Sequence, residues 1–408
     1  MVEGGRFVFV LLTACFTPFQ TPHRAYAKIR TMILESIEAH HFRNLSGTIL
    51  WGSGLNIIFG NNGQGKTNWL EAIYLLSRTK SFRTQRLQES ITFGQEMAFV
   101  RGNVSSGELL RDMQVTLQGN TKSISVNGKR EQLVRYLGQL QVFAFTSDEL
   151  EVVRGMPEAR RRFIDRGVAS LRPAYVQTLS NYRKVLKQKN RILQESNETG
   201  LGLAETEDLA APWNEQLVKL GHQIHESRTD YIGRINEVLE RGLFERREIQ
   251  IRYVSSLEGK GNLHDYESLL AHRLHLRVEA ELSAGRALIG PHRDDLEILL
   301  EGHEMRVYGS AGQQRSALLL LDLAAISVYN SWHEDYPLFL IDDVDAELDE
   351  KRISSLLEYL EGRTQTFVTT SKRSHVQTFI SRASVYEIEE GKVTNCEPKR
   401  DSVSTALA

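Results

Sequence analysis

Ile57-Ile58-Phe59-Gly60-Asn61-Asn62-Gly63-Gln64-Gly65-Lys66-Thr67 is the stretch that decides the fold. Its three apolar residues predict a buried strand, and the run after Thr67, Asn68 to Leu76, carries apolar residues at helical spacing. Gly60, four residues, then Gly65-Lys66-Thr67 fit the phosphate-binding loop that joins a strand to a helix. Such a loop turns tightly so that several backbone N–H groups converge on phosphate oxygens, and a Cβ at the glycines would block that approach. Gly60, Asn61, Asn62, Gly63, Gln64, Gly65, Lys66 and Thr67 are therefore expected to cradle ATP. Lys66 would place a point charge at the β- and γ-phosphates, Thr67 would offer its hydroxyl to Mg²⁺, and the helix N-terminus adds partial positive charge. A glycine-rich turn without a ligand would not require the complete pattern in this context.

At 408 residues and 41% hydrophobic content the chain has room for two domains with real cores. Its formal charge of −2 means that any nucleic-acid surface is a local patch. Cys15 and Cys396 make no CxxC or metal pattern, which points to a reducing compartment, and no apolar run reaches the roughly 20 residues of a membrane span. Residues 1–31 fit poorly with the rest. Phe7 to Phe16 is a short apolar run, Ala25-Tyr26-Ala27 resembles a cleavage site, and Leu12-Thr13-Ala14-Cys15 resembles a lipoprotein signal. The single Arg6 is offset by Glu3, however, an ATP site needs cytosolic ATP, and Met32 opens a strand-like segment, Ile33 to Ala39. A non-functional extension or a misplaced start, and a cytoplasmic protein, are expected.

Residues 32–153 predict the first half of a nucleotide-binding head, β-rich from 97 to 145 with a turn at Asn127-Gly128 and an apolar strand at Val142-Phe143-Ala144-Phe145. Character changes near Pro157, and residues 154–247 predict a helical arm. Its first helical stretch, interrupted at Pro173, carries Arg154, Arg160, Arg161, Arg162, Arg166, Arg172, Arg183, Lys184, Lys187, Lys189 and Arg191 against only Glu158 and Asp165. Such a stripe either neutralises DNA phosphates, with Arg160, Arg161, Arg162, Arg183, Lys184 and Lys187 as candidates, or is a solvated helix face. An acidic turn with Glu205, Glu207 and Asp208 leads to a second helix expected from Trp213 to about Arg246. Two antiparallel helices of this length are too short for a coiled-coil rod.

Residues 248–408 predict the second half of the head, opening with the strand Ile249 to Val254. Ser310-Ala311-Gly312-Gln313-Gln314-Arg315 precedes an apolar helix, and a serine with free N–H groups at a helix start can grip a second phosphate. Leu338-Phe339-Leu340-Ile341 ends in Asp342, suited to Mg²⁺, and Asp343, suited to orient or deprotonate an attacking water; both Asp343 and Lys66 are catalytic candidates together with Ser310. Thr366 to Ser371 is an apolar strand ending in hydroxyls that suit a γ-phosphate sensor. Lesser candidates each have a bland alternative: His292 as catalyst or structural hydrogen-bonder, Asp294 and Asp295 as metal ligands, Gln141 as γ-phosphate sensor, and Arg43 with Asn44 beside the adenine or on a surface turn.

This order of motifs resembles the ABC/SMC ATPase heads, and within them the RecF family. The matches are His41-Phe42-Arg43-Asn44-Leu45, the phosphate-binding loop, Pro157 through Arg160-Arg161 to Phe163-Ile164-Asp165, Gly290-Pro291-His292-Arg293-Asp294-Asp295-Leu296, Ser310 to Arg315, and Asp342-Asp343 with Glu347-Leu348-Asp349. They span Met32 to about Ser371. Ser147 stands where the family usually has proline, and Ala346 replaces a common serine. The resemblance implies an α/β ABC/SMC-type P-loop ATPase head with an inserted helical arm, binding ATP and Mg²⁺. It implies an ATP-dependent head-to-head homodimer in which the signature residues Ser310, Gly312, Gln313 and Gln314 meet the other copy's nucleotide. It further implies a clamp on gapped or junction DNA, work with RecO and RecR in loading RecA, a part in the SOS response, and slow DNA-dependent ATP hydrolysis. An ATP-gated SMC-like scaffold without significant turnover is the alternative. A transporter motor normally has Glu after the metal-binding Asp, where Asp343 stands, and an OLD-type nuclease would need a further acidic domain.

Overall fold

The structure, a computed structural model, describes residues 30–241, 249–347 and 350–397. At its centre five parallel strands run side by side: β15 (Ala383–Glu389), β3 (Leu55–Phe59), β14 (Thr366–Thr370), β13 (Leu338–Ile341) and β8 (Val142–Phe145), with β16 (Lys392–Glu397) antiparallel on the β15 edge. Every residue of β8, β13 and β14 is buried, as parallel strands covered on both faces require. Strand alternation sorts their side chains. Ile58, Val142, Ala144, Leu338, Leu340 and Phe367 pack with α1 (Lys66–Arg78), whereas Ile57, Phe143, Phe145, Phe339, Ile341 and Val368 pack with α10 (Ala311–His333).

The far side of α1 is covered by a mainly antiparallel sheet. It contains β1 (Arg30–Phe42), β2 (Leu45–Leu50), β4 (Met97–Ser106), β5 (Leu109–Gln118), β6 (Thr121–Val126) and β7 (Lys129–Arg130), with the short β12 (Asp335–Tyr336) parallel to β1. In β4 the residues Ala98, Val100, Gly102 and Val104 point inward at period two, and a Cβ on Gly102 would stand 2.6 Å from Leu76. Asn127 and Gly128, both at positive φ, close the hairpin anticipated there. β1 begins at Arg30, so the expected boundary at residues 31/32 falls inside a strand; the rest of the anticipated extension lies outside the described residues. The helix α2 (Leu133–Leu137) follows β7 and hydrogen-bonds back to α1 through Tyr136, whose hydroxyl donates to Leu76 O at 2.8 Å.

The arm is larger than its helices suggested. After α3 (Glu151–Arg154) come α4 (Pro157–Leu171), α5 (Tyr175–Thr199) and α6 (Leu203–Glu240). α6 starts at Leu203, ten residues before the anticipated Trp213, with Pro212 inside it. Its expected acidic turn is instead the helix's first turns, where Glu205 complements the N-terminal dipole. The anticipated end near Arg246 lies outside the described residues. β9 (Ile249–Val254), read as the opening strand of the second head half, does not join the central sheet. It pairs with β10 (Asp295–Leu300), which pairs with β11 (His303–Glu304), in a separate small sheet. With α7 (Tyr266–Leu276) and α8 (Val278–Ala284) this sheet packs on α5 and α6, so the inserted lobe extends past residue 247 to the approach of the signature segment. The remaining helices are α9 (Met305–Tyr308), α11 (Val344–Glu347), α12 (Glu350–Leu360) and α13 (Arg373–Phe379).

Polar groups lock that lobe. Arg228 of α6 grips Asp165 of α4 at 2.9 and 3.1 Å and donates to Pro291 O at 2.7 Å, while Tyr175 donates to the same carboxylate. All are buried. Because Arg228→Met leaves a buried uncompensated carboxylate, it is expected to cost about 3–5 kcal/mol in denaturant unfolding, and adding Asp165→Leu should recover most of that loss.

Candidate functional site

The loop after β3 is shaped by backbone constraints. Gly60 has φ +155 and Gly65 φ +104; a Cβ on Gly60 would stand 2.5 Å from Ile388 O, and one on Gly65 2.9 Å from the Asn44 side chain. Gly65 caps α1 without any side-chain cap, and the first turn holds no acidic residue, so an anion meets the helix's N–H groups without competition. Lys66 is 9% exposed and its ammonium donates to Gly60 O at 2.8 Å and Asn61 O at 2.9 Å. Burial pulls its pKa down, and Asp343, Asp342 and Asp345 partly offset this. Those carboxylates leave β13 beside α1. Thr67 donates to Asp342 Oδ1 at 2.9 Å and Thr369 of β14 donates to the same oxygen at 2.7 Å. Burial pushes Asp342's pKa up, and the Thr369 and Thr67 hydroxyls hold it back.

Asp343 is exposed and sits at φ +47, a conformation a non-glycine residue rarely adopts; its N–H donates to Thr369 Oγ1 at 2.7 Å, which fixes it there. Thr370 Oγ1 and Ser371 N both donate to Asp345, each at 2.8 Å. The donor set fits a nucleoside triphosphate with a hard divalent cation. The glycines leave the cradle open, and a threonine hydroxyl beside a carboxylate suits Mg²⁺.

Motif reading missed what props the loop from outside. Gly391 N donates to Gln64 O at 2.7 Å, Glu390 N donates to Gln64 Oε1 at 2.7 Å, and Trp69 Nε1 donates to Gly391 O at 3.1 Å. The β15–β16 hairpin thus clasps the phosphate loop. Its only sequence signal is a glycine in a late polar turn, Glu390-Gly391. Asn44 accepts from Asn68 Nδ2 at 2.7 Å, which places it against the loop.

Ser310 is the N-cap of α10 in a capping box with Gln313: its hydroxyl accepts from Gln313 N, and Gln313 Oε1 accepts from Ser310 N. Gly312 has open space around its Cα, and Gln314 donates to Met305 O. Ser310, Gly312 and Gln313 face solvent, and none of their hydrogen bonds reaches the chain's own phosphate loop.

Several expectations are corrected. Arg160 is no DNA contact: it is 2% exposed and binds Asp295 in bidentate fashion at 2.7 and 2.9 Å. Arg161 is half-buried and donates to Asp294 O, while Arg162, Arg183, Lys184 and Lys187 are exposed. Lys189, counted in the stripe, is buried against Glu281. Gln141 is buried at the start of β8, the end of the strand opposite the loop, so it cannot sense a phosphate there. His292 bonds Tyr182 at 2.8 Å, and burial lowers its pKa to about 4, a neutral structural imidazole of the arm lobe. Asp294 is buried and accepts from Ser256 N and Tyr253, and Asp295 is committed to Arg160, so neither has the open oxygens of a metal ligand. Arg43 is spent on Glu71 at 2.8 and 3.0 Å. Among the described residues no helix is long and apolar enough to cross a membrane.

Residues 33–394 match the model of the RecF/RecN/SMC N terminal domain. The DNA replication and repair protein RecF of Ligilactobacillus salivarius is 35% identical over 374 residues, 89% of this chain and 97% of that protein. RecF of Geotalea daltonii is 34% identical over 374 residues, covering 89% and 100%. A solved structure of the recombination mediator protein RecF with ATP superposes with a TM-score of 0.83 at 30% identity, covering 92% of this chain and 100% of that one. The Smc head domain of Pyrococcus furiosus, at 16% identity over 90% of this chain and 97% of that one, has a TM-score of 0.51 and shares the fold. The ABC/SMC-type head anticipated from the motifs is the fold observed.

A Cβ on Gly391 (φ +80) would stand 2.1 Å from Asn44 O, whereas Gly94 (φ +81) has nothing within 4 Å. Gly94→Ala should therefore lower stability by about 1–2 kcal/mol from backbone strain alone. Gly391→Ala should cost clearly more in thermal unfolding, because the hairpin must also move off the loop.

Proposed function

The chain belongs to the RecF family of DNA replication and repair proteins, and on that footing we propose that it is an ATP-gated clamp on DNA. The observation that carries this is the division of the site. Lys66, Thr67, Asp342 and Thr369 converge at one end of the central sheet, while Ser310 faces solvent with no hydrogen bond to that cluster. A triphosphate held by one copy therefore meets a Ser310 segment only on a second copy. ATP becomes the joint of a head-to-head homodimer, making charge-assisted hydrogen bonds to both subunits.

In that joint the N–H groups of Gly63 to Thr67 and the Lys66 ammonium take the phosphates. Thr67 and Asp342 would hold Mg²⁺, which would supply charge neutralisation at the transferring phosphoryl group. Asp343, fixed by Thr369, accepts the proton of the attacking water. The signature serine gives up its capping bond with Gln313 for a γ-phosphate oxygen, and Gly312 leaves that approach open. The exposed cations Arg162, Arg183, Lys184 and Lys187 hold DNA without reading sequence. In the cytoplasm such a clamp marks gapped or junction DNA and, with RecO and RecR, assists RecA loading and SOS induction.

The same ligands serve an ATP-gated scaffold with little turnover, and two variants separate the readings. Lys66→Met should abolish ATP-dependent dimerisation in sedimentation and DNA retention alike. Asp343→Asn should keep both while cutting hydrolysis by about 10²-fold or more. Unchanged hydrolysis in both variants would leave the scaffold standing, and ATP-bound monomers would sink the clamp.

Asp342 carries a raised pKa, and the metal needs its charged form, so Mg²⁺-dependent ATP affinity should be full above that pKa and fall as pH drops through it. Thr369→Val removes the first of the two hydroxyls that hold the pKa down. Its loss of affinity on acidification, followed by titration calorimetry, should begin at higher pH than in the wild type.

A further inference from the structure

The opposite end of α1 gathers positive charge that the nucleotide site does not use. Arg78 closes the helix and Lys80 follows it. Lys122 of β6 folds onto this end, its ammonium donating to Thr79 O at 2.8 Å and Thr79 Oγ1 at 3.1 Å. Arg78 donates to Val142 O and, with Arg166 of α4, lines a small cavity between head and arm. Pro173, two residues before α5, approaches the end of α2, where a Cβ on Gly138 would lie 3.7 Å from its Cγ. Arg166 is matched by Glu149, and Arg162 by Glu158. Among the described residues no carboxylate pairs with Arg78, Lys80, Lys122 or Arg183. Asp322, on the same cavity wall, is buried, and burial raises its pKa while Arg166 holds it back.

We propose that Lys80, Lys122 and Arg183 form a phosphate-binding seam between head and arm that takes the backbone of duplex DNA. The seam continues outward along α5 through Lys184 and Lys187. It rests on the DNA-clamp reading and names a site for it that the arm stripe alone did not include. Burial lowers Lys80's pKa and the neighbouring Arg183, Arg166, Arg78 and Arg162 lower it further, so a polyanion laid across this group of cations relieves their mutual repulsion. Complementing the α1 dipole accounts for about half a charge, far less than this cluster carries. The cations come from three separate segments, and Lys80, Lys122 and Arg183 are exposed. That suits a repeating phosphate chain better than a single nucleotide. The site is also distinct from the phosphate loop, because the 13 residues of α1 span about 20 Å.

The test is duplex binding by the full chain with ATP, followed by fluorescence anisotropy against salt. Lys80→Ala/Arg183→Ala should weaken binding regardless of sequence and reduce the slope of log affinity against log salt by about 2. Lys219→Ala/Arg286→Ala, which removes the same charge elsewhere on the arm lobe, should leave the slope unchanged. A wild-type slope in the seam variant, or an equal loss in the control, overturns the seam while leaving the clamp reading intact. Failure of the wild type to bind duplex while an acidic peptide binds in a Lys80-dependent way overturns both.

Discussion

One carboxylate oxygen ties the nucleotide site together. Asp342 Oδ1 accepts from Thr67 at the start of α1 and from Thr369 near the end of β14, so helix, β13 and β14 meet at a single half-buried acceptor. The meeting depends on strand order: β14 lies between β3, which delivers the loop, and β13, which delivers the aspartates. In a parallel sheet the carboxyl ends of neighbouring strands lie side by side, which is where such sheets bind ligands. The position is costly, since Lys66 is buried and Asp342 half-buried, and burial pushes both pKa values toward the neutral forms. The facing aspartates offset part of that cost for Lys66, and the Thr369 and Thr67 hydroxyls do so for Asp342.

The head was legible because its signals are local. A glycine loop needs glycines at fixed offsets, and a doubly covered strand needs an unbroken apolar run, so Ile57 to Thr67 and Leu338 to Asp343 announce both element and chemistry. The contacts that brace the site are not local. Gly391 meets Gln64 across 327 positions of sequence, and nothing in Glu390-Gly391 distinguishes it from an ordinary hairpin turn. The same limit explains Arg160. In a one-dimensional charge count it belongs to a basic stripe, but helical periodicity turns it inward to Asp295, 135 residues away, while Arg162 stays in water. Lys189 is drawn inward to Glu281 in the same way.

The arm shows where propensity and packing diverge. Pro212 and the acidic run before it argue for a helix beginning at Trp213, yet α6 starts at Leu203. Leu217, Ile224, Tyr231 and Ile235 of that helix are buried in the large core shared with α4, α5 and α10. Burial of that stripe outweighs a local penalty of about 3 kcal/mol for an interior proline.

α1 gives the two charged regions a common frame. Its first residue, Lys66, lies among phosphate-loop carbonyls and facing aspartates, and its last, Arg78, reaches into the boundary with the arm. Ten of its 13 residues are buried between the two sheets, so the helix is held along its length as a stiff body. Tyr136 of α2 and Lys122 of β6 then fasten its far end to α2 and to the antiparallel sheet through Leu76 O and Thr79 O. Arg78, at that far end, lines the cavity in which Glu149 pairs with Arg166 of the arm, so one buried helix borders both the phosphate loop and the boundary between head and arm.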